Sequence, residues 1–88
     1  MKVGRKGDWL AARVGDELVM MSAAKGNYLG LSEVGARVWE LIETPSELDA
    51  ICGQLAGEFE VAPDVCHAEV LAFVDDLVKH GAAELQAA

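Results

Sequence analysis

The chain has 88 residues, with 15 acidic and 7 basic side chains and a formal net charge of −8. That length suits one small domain spanning residues 1–88 around a single hydrophobic core, and so few cations argue against a nucleic-acid partner, whose phosphates are held mainly by clustered Lys and Arg. No apolar run approaches the ~18 residues of a membrane span, and the basic start Met1–Lys6 leads to Gly7, Asp8 and Trp9 rather than to an apolar stretch. Neither a membrane segment nor a signal peptide is expected, and the cytoplasm is the default location.

In chain order, 9–14 and 17–22 read as two strands separated by Gly15-Asp16, a two-residue hairpin turn with glycine where type II′ needs a positive φ. Leu18 and Met20 share one face of the second strand, Val19 and Met21 the other. Two apolar faces suggest a strand covered on both sides or one whose partner is still to come. Ala23–Gly26 makes a second turn, and 27–31 (Asn-Tyr-Leu-Gly-Leu) a third, short strand, with Tyr28 and Gly30 on one face and Leu29 on the other. Three strands leave the sheet with two edges. If 27–31 is one of them, its backbone groups are open to another chain, unless its shortness alone protects it.

Ser32 caps a helix over 33–43, with Val34, Val38, Leu41 and Ile42 on one stripe widened by Trp39. Thr44-Pro45-Ser46-Glu47 then has the capping-box pattern for a second helix over 45–58, whose buried stripe is Leu48, Ile51, Cys52 and Leu55. A third helix is expected over 63–80, stopping at Gly81, and Ala82–Ala88 either add a short extended piece or fray. Its apolar arc is broad. Cys66, Val70, Phe73, Val74 and Leu77 form one stripe that Leu71 and Val78 extend to about 160°, wider than the ~100° a core-facing helix needs. Part of that arc either enlarges the core or lines an open groove.

Chemistry-bearing motifs are missing. Cys52 and Cys66 stand apart in helical segments, with no CxxC and no histidine spacing that suits zinc, and they read as buried free thiols. Cys66 and His67 are helical neighbours about 100° apart and do not face each other. There is no GxGxxG, P-loop or GxSxG. No catalytic residue, cofactor or metal is expected, and the chain is not expected to be an enzyme.

The charge is uneven. Residues 1–44 carry six basic side chains and six acidic ones, whereas residues 45–88 carry nine acidic ones and a single cation, Lys79. Such a bias either solubilises the chain or steers a basic partner to one face. The expected fold is therefore α+β, a three-stranded antiparallel sheet followed by three helices, in the manner of a winged helix-turn-helix. DNA binding is the usual use of that shape. Here the second helix has no cation and the third has only Lys79 and two histidines, so phosphate would repel it.

The run Leu18-Val19-Met20, then Lys25-Gly26-Asn27-Tyr28-Leu29-Gly30-Leu31-Ser32, then Gly35-Ala36-Arg37-Val38-Trp39-Glu40-Leu41 resembles the PqqD-like family, whose members are also called RiPP recognition elements, for ribosomally made, post-translationally modified peptides. Leu48, Val70, Phe73, Val74, Leu77 and Gly81 continue the match, so the resemblance covers essentially the whole chain. It implies a non-catalytic adaptor that binds the leader of a precursor peptide and presents it to a modifying enzyme. The leader would add as an antiparallel strand to 27–31, in the cleft between that strand and the third helix. By position, Asn27, Tyr28, Leu29 and Gly30 would supply the pairing backbone. Leu71, Val74, Asp75 and Val78 on one margin of the helix, or Phe73 and Asp76 on the other, would line the cleft, and the sequence leaves the margin open. A leader carrying Lys or Arg would be drawn to Asp75 and Asp76.

Within that family the chain is most similar to the discrete recognition proteins of lasso peptide clusters, whose partner is a leader peptidase. The second reading is an accessory protein for a radical S-adenosylmethionine enzyme in pyrroloquinoline quinone or related peptide maturation. A winged-helix regulator or a structural subunit remains a further alternative, and the Tyr28 edge could pair with its own symmetry mate to give a homodimer.

Overall fold

The computed structural model describes residues 1–86, and in it the chain begins with a short strand, β1 (Lys2–Arg5). β2 (Trp9–Val14) and β3 (Glu17–Ser22) follow as a hairpin that sets Val14 opposite Glu17. Gly15 has φ +64° and Asp16 does not share a positive φ, which is the type II′ arrangement. Gly26, at φ +69°, donates its N–H to the Ser22 carbonyl at 2.8 Å and turns the chain into β4 (Asn27–Leu31). β4 pairs with β3, so this sheet has the order β2-β3-β4 and both β2 and β4 are edges.

Ser32 closes β4 and opens α1 (Glu33–Leu41). Its hydroxyl accepts the Gly35 N–H at 3.1 Å, the expected cap, and the helix ends at Leu41 rather than Glu43. α2 (Leu48–Phe59) and α3 (Pro63–Lys79) follow, and Gly81 takes φ +74° just beyond the end of α3. The α+β architecture of an antiparallel sheet with three helices is as the patterning predicts.

Two features differ from that reading. The strand count is higher, because β1 pairs with both β5 (Ser46–Glu47) and β6 (Ala83–Gln86) in a second antiparallel sheet of order β5-β1-β6. Of the piece expected over 82–88, the strand is formed, and Ala87 and Ala88 lie outside the described residues. The start of α2 also moves. Thr44 and Pro45 do not cap it. Glu47 is its extended N-cap residue, makes no side-chain cap bond, and turns its carboxylate to the Met1 amino group at 2.9 Å, while Met1 accepts the Leu48 N–H. Pairing of Ser46–Glu47 with Lys2–Val3 outcompetes the local capping box.

The core lies between the inner faces of the two sheets and the three helices. Leu18, Met20 and Leu31 from the first sheet and Val3 from the second meet Val38 and Trp39 of α1, Ile51 and Leu55 of α2, and Cys66, Val70, Val74 and Leu77 of α3. Each fully buried aliphatic side chain here contributes about 1.5–3 kcal/mol. Cys52 and Cys66 are part of this packing. They are free and buried, the Cys66 thiol donates to the Cys52 carbonyl at 3.7 Å, and burial pushes the Cys52 thiol pKa up.

Candidate functional site

The hairpin turn decides where the backbone of β4 points. In a two-residue hairpin the flanking residues, Val14 and Glu17, exchange ladder bonds, and the direction of those groups then alternates along each strand. Glu17, Val19 and Met21 thus bond to β2, leaving Leu18, Met20 and Ser22 to bond to β4. Their partners are Leu31, Leu29 and Asn27. Tyr28 and Gly30 are left over, and they direct their N–H and C=O groups away from the sheet, at an uncovered edge.

Beside that edge runs a cleft of about 280 Å³ lined by Leu29, Gly30, Leu31 and Ser32 on the β4 side and by Phe73, Asp76 and Leu77 of α3. Its width depends on Gly35 of α1. A Cβ there would lie 2.9 Å from Phe73 Cε1, so only glycine lets the ring lie back against α1. At the other end of β4, Lys25 Nζ donates to the His80 carbonyl at 3.0 Å and ties the β3–β4 turn to the end of α3. Asp8 braces the same turn, accepting from the Ser22 hydroxyl at 2.7 Å and from the Ala24 N–H at 3.0 Å. These two bonds hold its carboxyl below the usual carboxylate range. The cleft is therefore already open, with both walls fixed, before anything enters it.

The sequence-derived candidates divide between two sides of α3. Phe73 and Asp76 share the cleft with Leu29 and Gly30. Leu71, Val74 and Asp75 instead line a separate depression of about 350 Å³ with Met1, Leu48, Ala72 and Leu85, to which β4 contributes nothing. Val74 is a core residue, and Val78 is exposed on the Leu71 margin and lines neither hollow. Asn27 and Tyr28 lie along a third hollow, of about 310 Å³, on the outer face of the sheet with Leu10 and Met21. The residues that the sequence reading missed are Leu31, Ser32 and Leu77. Leu77 follows Phe73 by one helical turn, a spacing that could have paired them.

Among the described residues no group of three or more His, Cys, Asp and Glu side chains gathers as a metal site, and no helix is long and apolar enough to cross a membrane.

The family model for coenzyme PQQ synthesis protein D (PqqD) matches residues 17–82, from β3 to the residue after Gly81. The chain belongs to the PqqD family. The matched PqqD region contains both walls of the β4–α3 cleft. Two solved structures share the fold. One is TbiB1 in complex with the TbiA(beta) leader peptide, 25% identical, with 97% of this chain and 99% of that one covered at a TM-score of 0.83. The other is a lasso peptide synthetase B1 complexed with the leader peptide, 18% identical, with 97% and 100% covered at 0.83. No curated protein matches the chain significantly.

Proposed function

We propose that this PqqD-family chain is a non-catalytic adaptor, a single recognition domain over residues 1–88, that binds the leader of a ribosomally made precursor peptide and presents it to a modifying enzyme. The observation that carries this reading is an edge strand with free backbone groups beside a preformed apolar cleft, in a chain that superposes almost end to end on a protein solved with a leader peptide. Strand addition uses such an edge directly: main-chain bonds supply affinity, and pockets for alternate side chains supply specificity. Tyr28 and Gly30 exchange ladder bonds with the leader, with Asn27 and Leu29 flanking them. Leu29, Phe73 and Leu77 receive its inward apolar side chains. Asp76 at the rim favours a leader with Lys or Arg near that position.

The enzyme partner favoured is a lasso peptide leader peptidase, since one structural relative is a lasso peptide synthetase B1 and both were solved with a leader peptide. The family description, coenzyme PQQ synthesis, supports a radical S-adenosylmethionine partner as the second reading. In either case the adaptor works in the cytoplasm, where precursor peptides are made. The test is a calorimetric or fluorescence titration with the leader of the precursor encoded nearest this gene. The wild-type chain should bind it at micromolar concentration or below, and Tyr28→Pro, which deletes an outward donor, should abolish binding. Failure to bind any neighbouring leader would overturn the adaptor reading.

A further inference from the structure

β2 is the other edge of the first sheet, and its edge and outer face are bare. Of its six residues only Trp9 is buried. Leu10 and Val14, 70% and 64% exposed, project from the outer face. Ala11 and Arg13 stand over a groove of about 470 Å³ whose far wall carries Trp39, Glu40 and Glu43. By the alternation that the hairpin turn imposes, Leu10, Ala12 and Val14 bond to β3, and Trp9, Ala11 and Arg13 direct their N–H and C=O groups outward. The one charge on this edge, Arg13, lies on the inner face 3.9 Å from Glu40, and no proline, bulge or covering element blunts the edge among the described residues, which leaves its backbone open to another strand.

We propose that the strand it takes is β2 of a second copy of this chain, antiparallel, with Ala12 on the two-fold axis. Symmetric pairing of the free backbone groups allows the axis at only a few residues. At Arg13 it would set like charges opposite each other. At Leu10 the overlap is short. At Ala11 the buried Trp9 would have to face an arginine, and Val14 would pair with nothing in the strand. At Ala12, Leu10 lies against the partner's Val14, and Ala11 exchanges both backbone bonds with the partner's Arg13. The two exposed apolar side chains of the strand then cover each other.

Charge supports the same register. The partner's Arg13 enters the inner groove beside Ala11, toward Glu43, which makes no ion pair among the described residues. The pairing also joins the two halves of zero net charge, so most of the repulsion between two chains of −8 is kept from the contact. The product is one six-stranded sheet with a β4 edge free at each end. The pairing rests on β2 alone and does not depend on what β4 binds.

Cysteine cross-linking tests it. In a non-hydrogen-bonded antiparallel pair the Cα atoms lie about 4.5 Å apart, within disulfide reach. Oxidised Ala12→Cys should form a covalent dimer, and Tyr28→Cys, on the opposite edge, should not; the native thiols are buried. Sedimentation of the wild-type chain should reveal a weak, salt-sensitive dimer that Arg13→Glu abolishes and the double variant Arg13→Glu/Glu43→Arg restores. Ala12→Cys that cross-links no better than Tyr28→Cys would overturn the proposal. So would a wild-type chain that stays monomeric at its solubility limit; if Arg13→Glu then weakens binding to a modifying enzyme, the edge belongs to that enzyme instead.

Discussion

β4 and β2 are the two edges of one sheet, and they meet different neighbours. β4 faces α3 across a narrow apolar cleft whose walls are fixed by Gly35 behind Phe73 and by the Lys25–His80 bond. β2 faces a larger groove that Arg13 spans toward Glu40 of α1, with Arg5 lying over Trp39 on the far wall, and its own side chains are mostly in water. The PqqD family model covers β4 and its cleft but begins at Glu17, after β2. An uncovered edge alone is thus a poor guide to function. What sets β4 apart is a preformed hollow beside it, which spares a guest peptide the cost of organising its own site.

Prolines along β4 test this contrast most strongly. Leu29 directs its N–H into the sheet toward Met20, so Leu29→Pro should remove a ladder bond and part of the core, lowering stability by about 2–4 kcal/mol in thermal or urea unfolding. Tyr28→Pro, one residue away, should leave the unfolding midpoint nearly unchanged because its N–H faces outward. Equal losses at the two positions would contradict this backbone alternation.

A smaller change sharpens the role of the cleft. Gly35→Ala should push the Phe73 ring into it, costing about 1 kcal/mol of stability and weakening leader binding roughly tenfold, without touching the β2 edge. Smallest is the charge effect. Asp76→Asn should weaken binding of a Lys- or Arg-bearing leader by about fivefold or less, more at low salt than at high, whereas Asp75→Asn, in the other depression, should not. Equal effects from the two carboxylates would point to a diffuse field rather than a subsite.

Much of this was legible wherever short-range chemistry decides the outcome. Gly15-Asp16, Gly26, the Ser32 cap and Gly81 each do locally what their residue types allow, so β2, β3, β4 and the helix ends can be read from them. The second sheet could not be read that way. β1, β5 and β6 are two to four residues long with few apolar side chains, and they exist only because Lys2 meets Glu47 and Gln86 from far along the chain. The same long-range pairing overruled the capping box at Thr44–Glu47. On α3, helical periodicity exposes an apolar arc too broad for the core but not the neighbour at each margin. Phe73 and Asp76 face β4 because of how α1 and the β3–β4 turn hold the helix, and neither contact has a periodic signature.

The alternation of β4 has a further consequence. With only Tyr28 and Gly30 offering outward groups, a paired guest would be gripped over about 7 Å, or some three residues. Within that stretch, shifting the guest by one residue turns every side chain from the cleft to the outer face. β4 would thus act as a parity filter. It would accept the many sequences whose apolar residues fall on alternate positions in the right phase and refuse the same residues one step out of phase, whatever their total hydrophobicity.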